Sequence, residues 1–498
     1  MTGDRSDIVT PDTRRMLVIT LCVSLGGLVF GYDAVVISGA IGMVEREFAL
    51  THWQVGWVVS APTLSAIFAS LAAGPLADRF GRRPVLLAVS VLYVISAILS
   101  STANGFVSLS LARMAGGIAF SSLVVAPLFL AEIAPAKSRG GVVSMNQMAV
   151  VLGLSAAYFT NLAILHLSQS GAGWVAAIGM DVGAWRWMFA VELVPAVLWL
   201  GALLLAVPES PRWLVAQSRF DRARRILTRV RQASAADEAL ERIRASLGEE
   251  TQERGSLSGL VSSPLIRTLL GIALIVAIAQ QATGVNAIYF YAPTVFQQSG
   301  VGASLAFVQA AVMGVFNVIF TIVAVLTIDR LGRRPLLIVG LSGVLVSTAV
   351  AGWAFSQDGG ANSYLILGAI LLFVASFAVS LGPVTWVLMS EIFPNRYRGL
   401  AIAIVAFVNG TVSFLVQLVF PVQLQTLGAG PTFLIYSALA ALFLVLVIRF
   451  VPETKGETLE GLAGRIAART ATRRRPPRPP RLADRDPPCR GPGPAKES

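Results

Sequence analysis

One pattern occurs twice, about 250 residues apart, and each copy lies between long apolar stretches. The first copy is Asp78-Arg79-Phe80-Gly81-Arg82-Arg83-Pro84, and the second is Asp329-Arg330-Leu331-Gly332-Arg333-Arg334-Pro335. Two further pairs follow in the same order. Glu132-Ile133-Ala134-Pro135, leading to Arg139-Gly140, matches Glu391-Ile392-Phe393-Pro394, leading to Arg398-Gly399. Pro208-Glu209-Ser210-Pro211-Arg212 matches Pro452-Glu453-Thr454-Lys455-Gly456. Ordered pairs at this spacing mark a duplicated half rather than a short solenoid repeat, so the chain is expected to fold as two related bundles.

The chain has 498 residues, 55% of them hydrophobic and 13% charged, whereas soluble domains run near a quarter charged. No soluble fold buries so many uncharged stretches, which defines a polytopic, all-α membrane protein. About 20 residues cross the hydrocarbon core, and twelve candidate spans lie at roughly 16–41, 54–76, 84–102, 107–131, 141–165, 187–207, 265–297, 304–328, 335–355, 363–389, 399–423 and 431–451. They group as an N-terminal stretch 1–15, a six-helix bundle over about 16–207, a linker 208–264, a second six-helix bundle 265–451 and a tail 452–498. Arg14-Arg15 before the first run resembles a secretory signal. No small-residue cleavage site follows and the run is too long, so it is read as a retained span.

Arg14, Arg15, Arg79, Arg82, Arg83, Lys137, Arg139, Arg330, Arg333, Arg334, Arg396, Arg398, the linker and the tail fall on one side, against little beyond Arg46 and Arg186 on the other. The positive-inside rule puts that side and both termini in the cytoplasm of a multi-pass cell-membrane protein. The net charge of +12 is read as loop charge facing anionic lipid, not as nucleic-acid affinity. Cys22 and Cys489 support no disulfide framework. The linker carries good helix formers with helical apolar spacing, as in 223–230 and 236–244, and predicts short cytoplasmic helices. The Arg- and Pro-rich run 473–481 predicts disorder after about 466.

The repeated charges predict a network at the cytoplasmic end, built from Asp78, Arg82, Arg83, Glu132, Arg139, Glu209 and Arg212 in the first half, and Asp329, Arg333, Arg334, Glu391, Arg398 and Glu453 in the second. Arginine pairs bidentately with carboxylates. Such a network could hold the inner face shut in one state and break in another. Charges that only fix topology are the simpler account, but they do not explain a glycine repeated at the same place.

Ionisable residues inside spans are costly and usually functional. Asp33 lies on span 1, Arg113 on span 4 and Glu192 on span 6. At about 1.5 Å per residue, Asp33 is roughly 25 Å above the cytoplasmic entry and Arg113 roughly 9 Å below the outer one. Both fall in the outer half, with Glu192 at similar depth, so carboxylate and guanidinium can pair. An Asp that alternates between contact with Arg and isolation gains and loses a proton with conformation; a static ion pair fixing helix register is the other reading. Hydrogen-bonding side chains recur in the second half: Gln280, Gln281, Asn286 and Tyr289-Phe290-Tyr291 on span 7, where Gly284 and Pro293 predict a break, then Asn317, Trp386 and Asn409, with Gln147 on span 5. Amides of this kind bind polyhydroxylated ligands or glue helices together.

The paired motifs, Phe30-Gly31-Tyr32-Asp33 and Gly382-Pro383-Val384-Thr385-Trp386 resemble those of the sugar porter family of the major facilitator superfamily over about residues 16–460. The Pro-Glu-Ser-Pro-Arg and Pro-Glu-Thr-Lys-Gly endings are signatures of that family. The resemblance implies twelve spans in two six-helix bundles, and proton-coupling roles for Asp33, Arg113 and Glu192, acids that facilitative glucose carriers generally lack. It implies sugar-hydroxyl contacts from Gln147, Gln280, Gln281, Asn286, Asn317 and Trp386, with Asn409 nearby and Phe30 closing the pocket. It implies gating by Tyr289, Phe290 and Tyr291, and flexibility at Gly382-Pro383. Two positions depart from the family. Leu154 stands where its xylose symporters are polar, and Gly410 stands where glucose carriers usually have tryptophan, which would leave room for a larger substrate.

The expected function is proton-coupled import of a monosaccharide by alternating access, by a monomer in contact with lipid, with no cofactor besides the proton. An inositol or polyol symporter, a facilitated uniporter and a non-transporting sensor remain alternatives. An enzyme is not expected, since His52 and His166 lie near outer loops and no metal-ligand cluster or nucleophile triad is visible. Asp33→Asn is expected to abolish uphill accumulation while leaving substrate exchange across the membrane. Retained concentrative uptake would remove Asp33 from the coupling.

Overall fold

The structure, a computed structural model, describes residues 11–134, 139–230, 233–252, 257–357 and 362–455. Lys137 and the tail from 456 onward, including the run expected to be disordered, lie outside the described residues.

Among the described residues every regular element is a helix, because backbone in hydrocarbon has no other partner than itself. Twelve helical segments are long and apolar enough to cross a membrane. Spans 1 to 6 are Arg14–Glu47, His52–Phe80, Arg82–Ser101, Phe106–Ile133, Gly140–Ser168 and Ala184–Ala206. Spans 7 to 12 are Pro264–Phe290, Ala303–Ile328, Arg333–Phe355, Ser363–Ile392, Arg396–Thr426 and Ala429–Phe450. Four short helices, Pro211–Ala216, Phe220–Val230, Ala233–Gln252 and Leu257–Ser262, join the halves. A small apolar cluster holds the first three together, through Trp213, Leu214, Leu227 and Leu240.

Span 1 packs on spans 5 and 6, and span 2 on span 4; in the second half span 7 packs on spans 11 and 12, and span 8 on span 10. The halves meet where span 2 lies on span 11 and span 5 on span 8, with span 1 against the part of span 7 that follows Gly284. Span 2 is the counterpart of span 8, and span 5 of span 11. The two contacts are therefore one contact used twice, as a duplicated chain requires. Small residues allow close approach: a Cβ on Gly31 would strike the Val150 carbonyl, and one on Gly153 the Leu28 carbonyl.

Several spans are interrupted. Span 7 breaks at Gly284 (φ 89°), and a further short helix, Ala292–Gln297, starts after Tyr291. Span 6 breaks at Glu192, where Pro195 offers no N–H to the Val191 carbonyl. Span 10 breaks at Ser380, three residues before Pro383.

Between spans 2 and 3, and again between spans 8 and 9, the chain turns on a single glycine, Gly81 at φ 104° and Gly332 at φ 90°. Both are extended with positive φ, conformations essentially closed to other residues. A Cβ at Gly332 would also meet the Glu453 carboxylate, as one at Gly81 would meet Glu209. Gly332→Ala is expected to cost on the order of 1–3 kcal/mol and to lower the melting temperature in detergent. Gly368→Ala, whose Cβ meets open space, serves as the control. Equal melting of the two variants would contradict this account.

Candidate functional site

The first half carries the charges. Arg113 Nη1 pairs with Asp33 Oδ1, and Arg113 Nη2 donates to the Asp33 main-chain carbonyl at 3.1 Å. Both residues and Glu192 are buried, at 1% exposure or less. The guanidinium also stands 5.6 Å from the centre of the Phe189 ring, which supports a cation on its face. Gly116, one turn beyond Arg113, leaves the space that the second Asp33 oxygen occupies; a Cβ there would strike it. Glu192, at the span 6 break, lies within electrostatic reach of Asp33 and Arg113. Arg113 Nε is buried without an acceptor, and Asp33 Oδ2 and Glu192 Oε1 are buried without a donor while both acids are ionised, although the two carboxyl groups are close enough to share a hydrogen bond once one of them carries a proton. Buried polar groups are normally satisfied, so three orphans in one pocket call for an explanation.

The second half carries the neutral hydrogen-bonding groups. Asn409 Nδ2 donates to Gln280 Oε1 at 2.9 Å and to the Ala277 carbonyl at 2.8 Å. Gln280 Nε2 donates to the Leu381 carbonyl at 2.8 Å and to that of Gly382 at 3.3 Å, next to the span 10 break. Gln281 Nε2 reaches Asn409 Oδ1 at 3.3 Å, and Asn286 Nδ2 donates to Gln281 Oε1 at 2.9 Å and Ser413 Oγ at 2.6 Å. The span 7 break lets residues on both sides of Gly284 converge on span 11. Hydroxyls of a ligand both donate and accept, so each could insert into this cluster and replace an amide partner.

Beyond the cluster, Tyr289 Oη donates to Asn317 Oδ1 at 3.0 Å and Tyr291 Oη to the Gln417 carbonyl at 3.2 Å. Thr63 on span 2 donates to Gln417 Oε1 at 3.1 Å across the two halves. Ser413 and Gln417 were not anticipated from the sequence. Their signal is a polar stripe on span 11, with Asn409, Ser413 and Gln417 four residues apart on one helical face.

Other expected residues stand apart. Phe30 packs edge-on against Phe120 at 4.7 Å, and Phe290 and Pro383 are half-buried and buried only in part. Gln147 is exposed, eleven residues and thus about three turns below Tyr158 on the span 5 face that meets the other half. Trp386 is 45% exposed. Gly410 leaves no open room, because the Ile67 side chain of span 2 occupies the space beside it.

At the basic end the repeated motifs form the same structure twice. Arg82 forks onto Glu132, with Nη2 at 2.9 Å, and Arg333 onto Glu391, with Nη2 at 2.7 Å. Asp78 adds a second carboxylate at 2.9 Å from Arg82. Glu209 Oε1 accepts the main-chain N–H groups of Arg82 and Arg83 at 2.9 and 3.2 Å. Glu453 accepts those of Arg333 and Arg334 at 3.0 and 3.1 Å. The guanidinium of Arg83 reaches the Leu204 carbonyl and that of Arg334 the Ile448 carbonyl. Each of these pairings lies within one half. In this state they staple spans inside a bundle and do not lock one bundle to the other. Arg398 bonds the Phe393 carbonyl at 3.3 Å, and Arg212 lies in the helix Pro211–Ala216. The side chains of Arg139 and Asp329 lie outside the described residues.

Partial burial works to raise the Glu453 pKa. It is outweighed by the main-chain N–H groups of Lys455, Arg333, Arg334 and Thr454, which hold the carboxyl below its ordinary value of 4.5. A depressed folded-state pKa means that this stabilisation is complete above the ordinary value and is lost as pH falls through the depressed one. Glu453→Gln is therefore expected to lower the melting temperature at pH 7 and to lose most of that difference on acidification below about pH 4. A pH-independent difference would contradict it.

Bonds between the halves lie away from the basic end. Besides Thr63 and Gln417, Ser155 Oγ donates to the Gly314 carbonyl at 2.7 Å and Tyr158 Oη to the Tyr289 carbonyl at 2.6 Å. A cavity of about 1120 Å³ opens at the opposite end, lined by Met43, Glu47, Trp185, Arg186, Thr294 and Gln297. It lies beyond Tyr289 and Tyr291, outside the amide cluster.

Twelve spans in two matched halves, with buried charges in one and a polar cluster in the other, define a membrane transporter of the major facilitator type. The profile of the "Sugar (and other) transporter" family matches residues 19–464, and the chain belongs to that family. The arabinose-proton symporter of Bacillus subtilis (strain 168) is 37% identical over 449 residues, covering 89% of this chain and 94% of that protein. The D-xylose-proton symporter of Escherichia coli (strain K12) is 35% identical over 480 residues, covering 89% and 94%. Among solved structures, the partially occluded inward-open conformation of the xylose transporter XylE from E. coli superposes with a TM-score of 0.77 at 33% identity, covering 90% of this chain and 100% of that one.

Proposed function

We propose that this protein imports a monosaccharide by proton symport, by alternating access, with its basic end and both termini in the cytoplasm. The observation that carries the reading is the division between the halves. A buried Asp33–Arg113 pair with unsatisfied carboxylate oxygens occupies the first, and an amide cluster that can accept hydroxyls occupies the second. Removing one partner of a buried pair costs about 3–5 kcal/mol, so a static pair would be a poor way to join helices that small residues already join. A proton arriving at Asp33 cancels the charge that holds Arg113. It changes the packing of spans 1 and 4 within the half that must rock. The amides, Asn317 and Trp386 then hold the sugar, with Tyr289, Phe290 and Tyr291 as the outer gate and Gly382-Pro383 as the hinge of the inner part.

The relatives named as arabinose-proton and xylose-proton symporters support pentoses as first substrates and the proton as coupling ion. The test uses the purified protein in proteoliposomes with labelled pentoses, hexoses and polyols, with and without an imposed pH gradient. Accumulation above equilibrium that requires an inward proton gradient and carries protons with the sugar is the expected result. Equilibration indifferent to the gradient would make the protein a uniporter, and binding without flux would make it a sensor.

A further inference from the structure

Tyr158, on span 5, joins the two halves at a place where the backbone needs it. In an unbroken helix the carbonyl of Tyr289 would accept the N–H of the residue four positions on. That residue is Pro293, which has no N–H. A carbonyl left without a donor inside a membrane costs several kcal/mol in hydrocarbon. The donor comes from the other half, since Tyr158 Oη bonds the Tyr289 carbonyl at 2.6 Å. Both side chains are buried, at 1% and 6% exposure. The Tyr158 ring rests against Gly314, where a Cβ would crowd it, and Ser155, one turn away, donates to the Gly314 carbonyl at 2.7 Å.

Span 5 is also fixed to span 1 beside the proton site. Tyr32, next to Asp33, bonds Thr160 at 2.7 Å, and Asn161 Nδ2 donates to the Val36 carbonyl at 3.1 Å. In the second half Tyr289 Oη reaches Asn317 at 3.0 Å. Span 5 thus touches the element that carries Asp33 on one side and the broken part of span 7 on the other.

We propose that Tyr158 is a positioning residue that holds the outer gate closed, its phenol taking the place of the N–H that Pro293 lacks. The proposal rests on the alternating-access reading above. When the halves part at that end, the Tyr289 carbonyl loses the Tyr158 hydroxyl and must take water in its place. The bond therefore favours the closed state by about the net worth of one hydrogen bond, a population factor of roughly five.

The test does not require transport, so it stays informative even if the substrate reading fails. Ala311 is buried at 3% exposure on span 8, between cavity-lining Phe307 and Gly314 on the face that meets span 5. In a background of Cys22→Ala and Cys489→Ala, Ala311→Cys reports opening of that end through its labelling rate with a membrane-impermeant maleimide. Adding Tyr158→Phe is expected to speed labelling about fivefold and, where transport is measured, to lower the apparent KM for entry by a similar factor. Tyr436→Phe removes another buried phenol hydroxyl, one bonded to Gln423 within the second half at 3.1 Å, and is expected to leave labelling unchanged. If Tyr158→Phe fails to reach the membrane, Pro293→Ala decides. It returns an N–H to the Tyr289 carbonyl, competes with the Tyr158 hydroxyl and is expected to accelerate labelling. Labelling at the parental rate in the decisive variant, or equal acceleration by Tyr436→Phe, overturns the proposal.

Discussion

Everything in this molecule answers to one cost, that of a polar group left without a partner in hydrocarbon. It makes all the described regular structure helical, and it decides where helices can break. Span 7 breaks where its freed groups meet span 5 and span 11, at Tyr289 and Asn286. Span 10 breaks where Gln280 takes up the Leu381 carbonyl. The same cost draws Arg113 onto Asp33, and it makes the orphan oxygens of Asp33 and Glu192 conspicuous.

Duplication turns that chemistry into a two-part machine. Both halves use one basic-end device: a glycine turn, an arginine forked onto a glutamate, and a second glutamate gathering main-chain N–H groups. The devices are alike because each must stiffen a bundle that moves as a unit. The interiors have diverged, with ionisable residues in the first half and neutral amides in the second. Bonds such as those of Thr63, Ser155 and Tyr158 join surfaces that are otherwise apolar or small, which suits an interface that must separate.

Much of the site was legible before any coordinates. Asp33 and Arg113 share a depth because helical rise is constant, and depth is enough to bring two residues of packed spans into range. Gly284 and Pro293 marked a broken helix because each denies the backbone something an α-helix needs. Other features depend on which faces meet. Ser413 and Gln417 lay in plain sight as a polar stripe, but their worth depends on Asn286 and Thr63 arriving from other spans. The room expected at Gly410 is taken by Ile67, which lies more than three hundred residues away in the chain. The basic-end charges read as a latch between halves, yet the observed pairs lie inside each half in this state, because the start of span 3 packs beside the end of span 4, and that of span 9 beside the end of span 10, so Glu132 and Glu391 meet the arginines of their own bundle.

The amino-acid order alone determined the span count, the duplication, the repeated motifs and the residues able to carry charge or bind hydroxyls, since these follow from local composition and from periodicities that every helix obeys. Tertiary structure alone decided which amides join, who satisfies the Tyr289 carbonyl that Pro293 orphans, and that one end is bound shut while Gln147 stands exposed toward the other. Those are contacts between residues far apart in sequence, and their geometry is set by how two bundles lean together, which no stretch of chain encodes by itself.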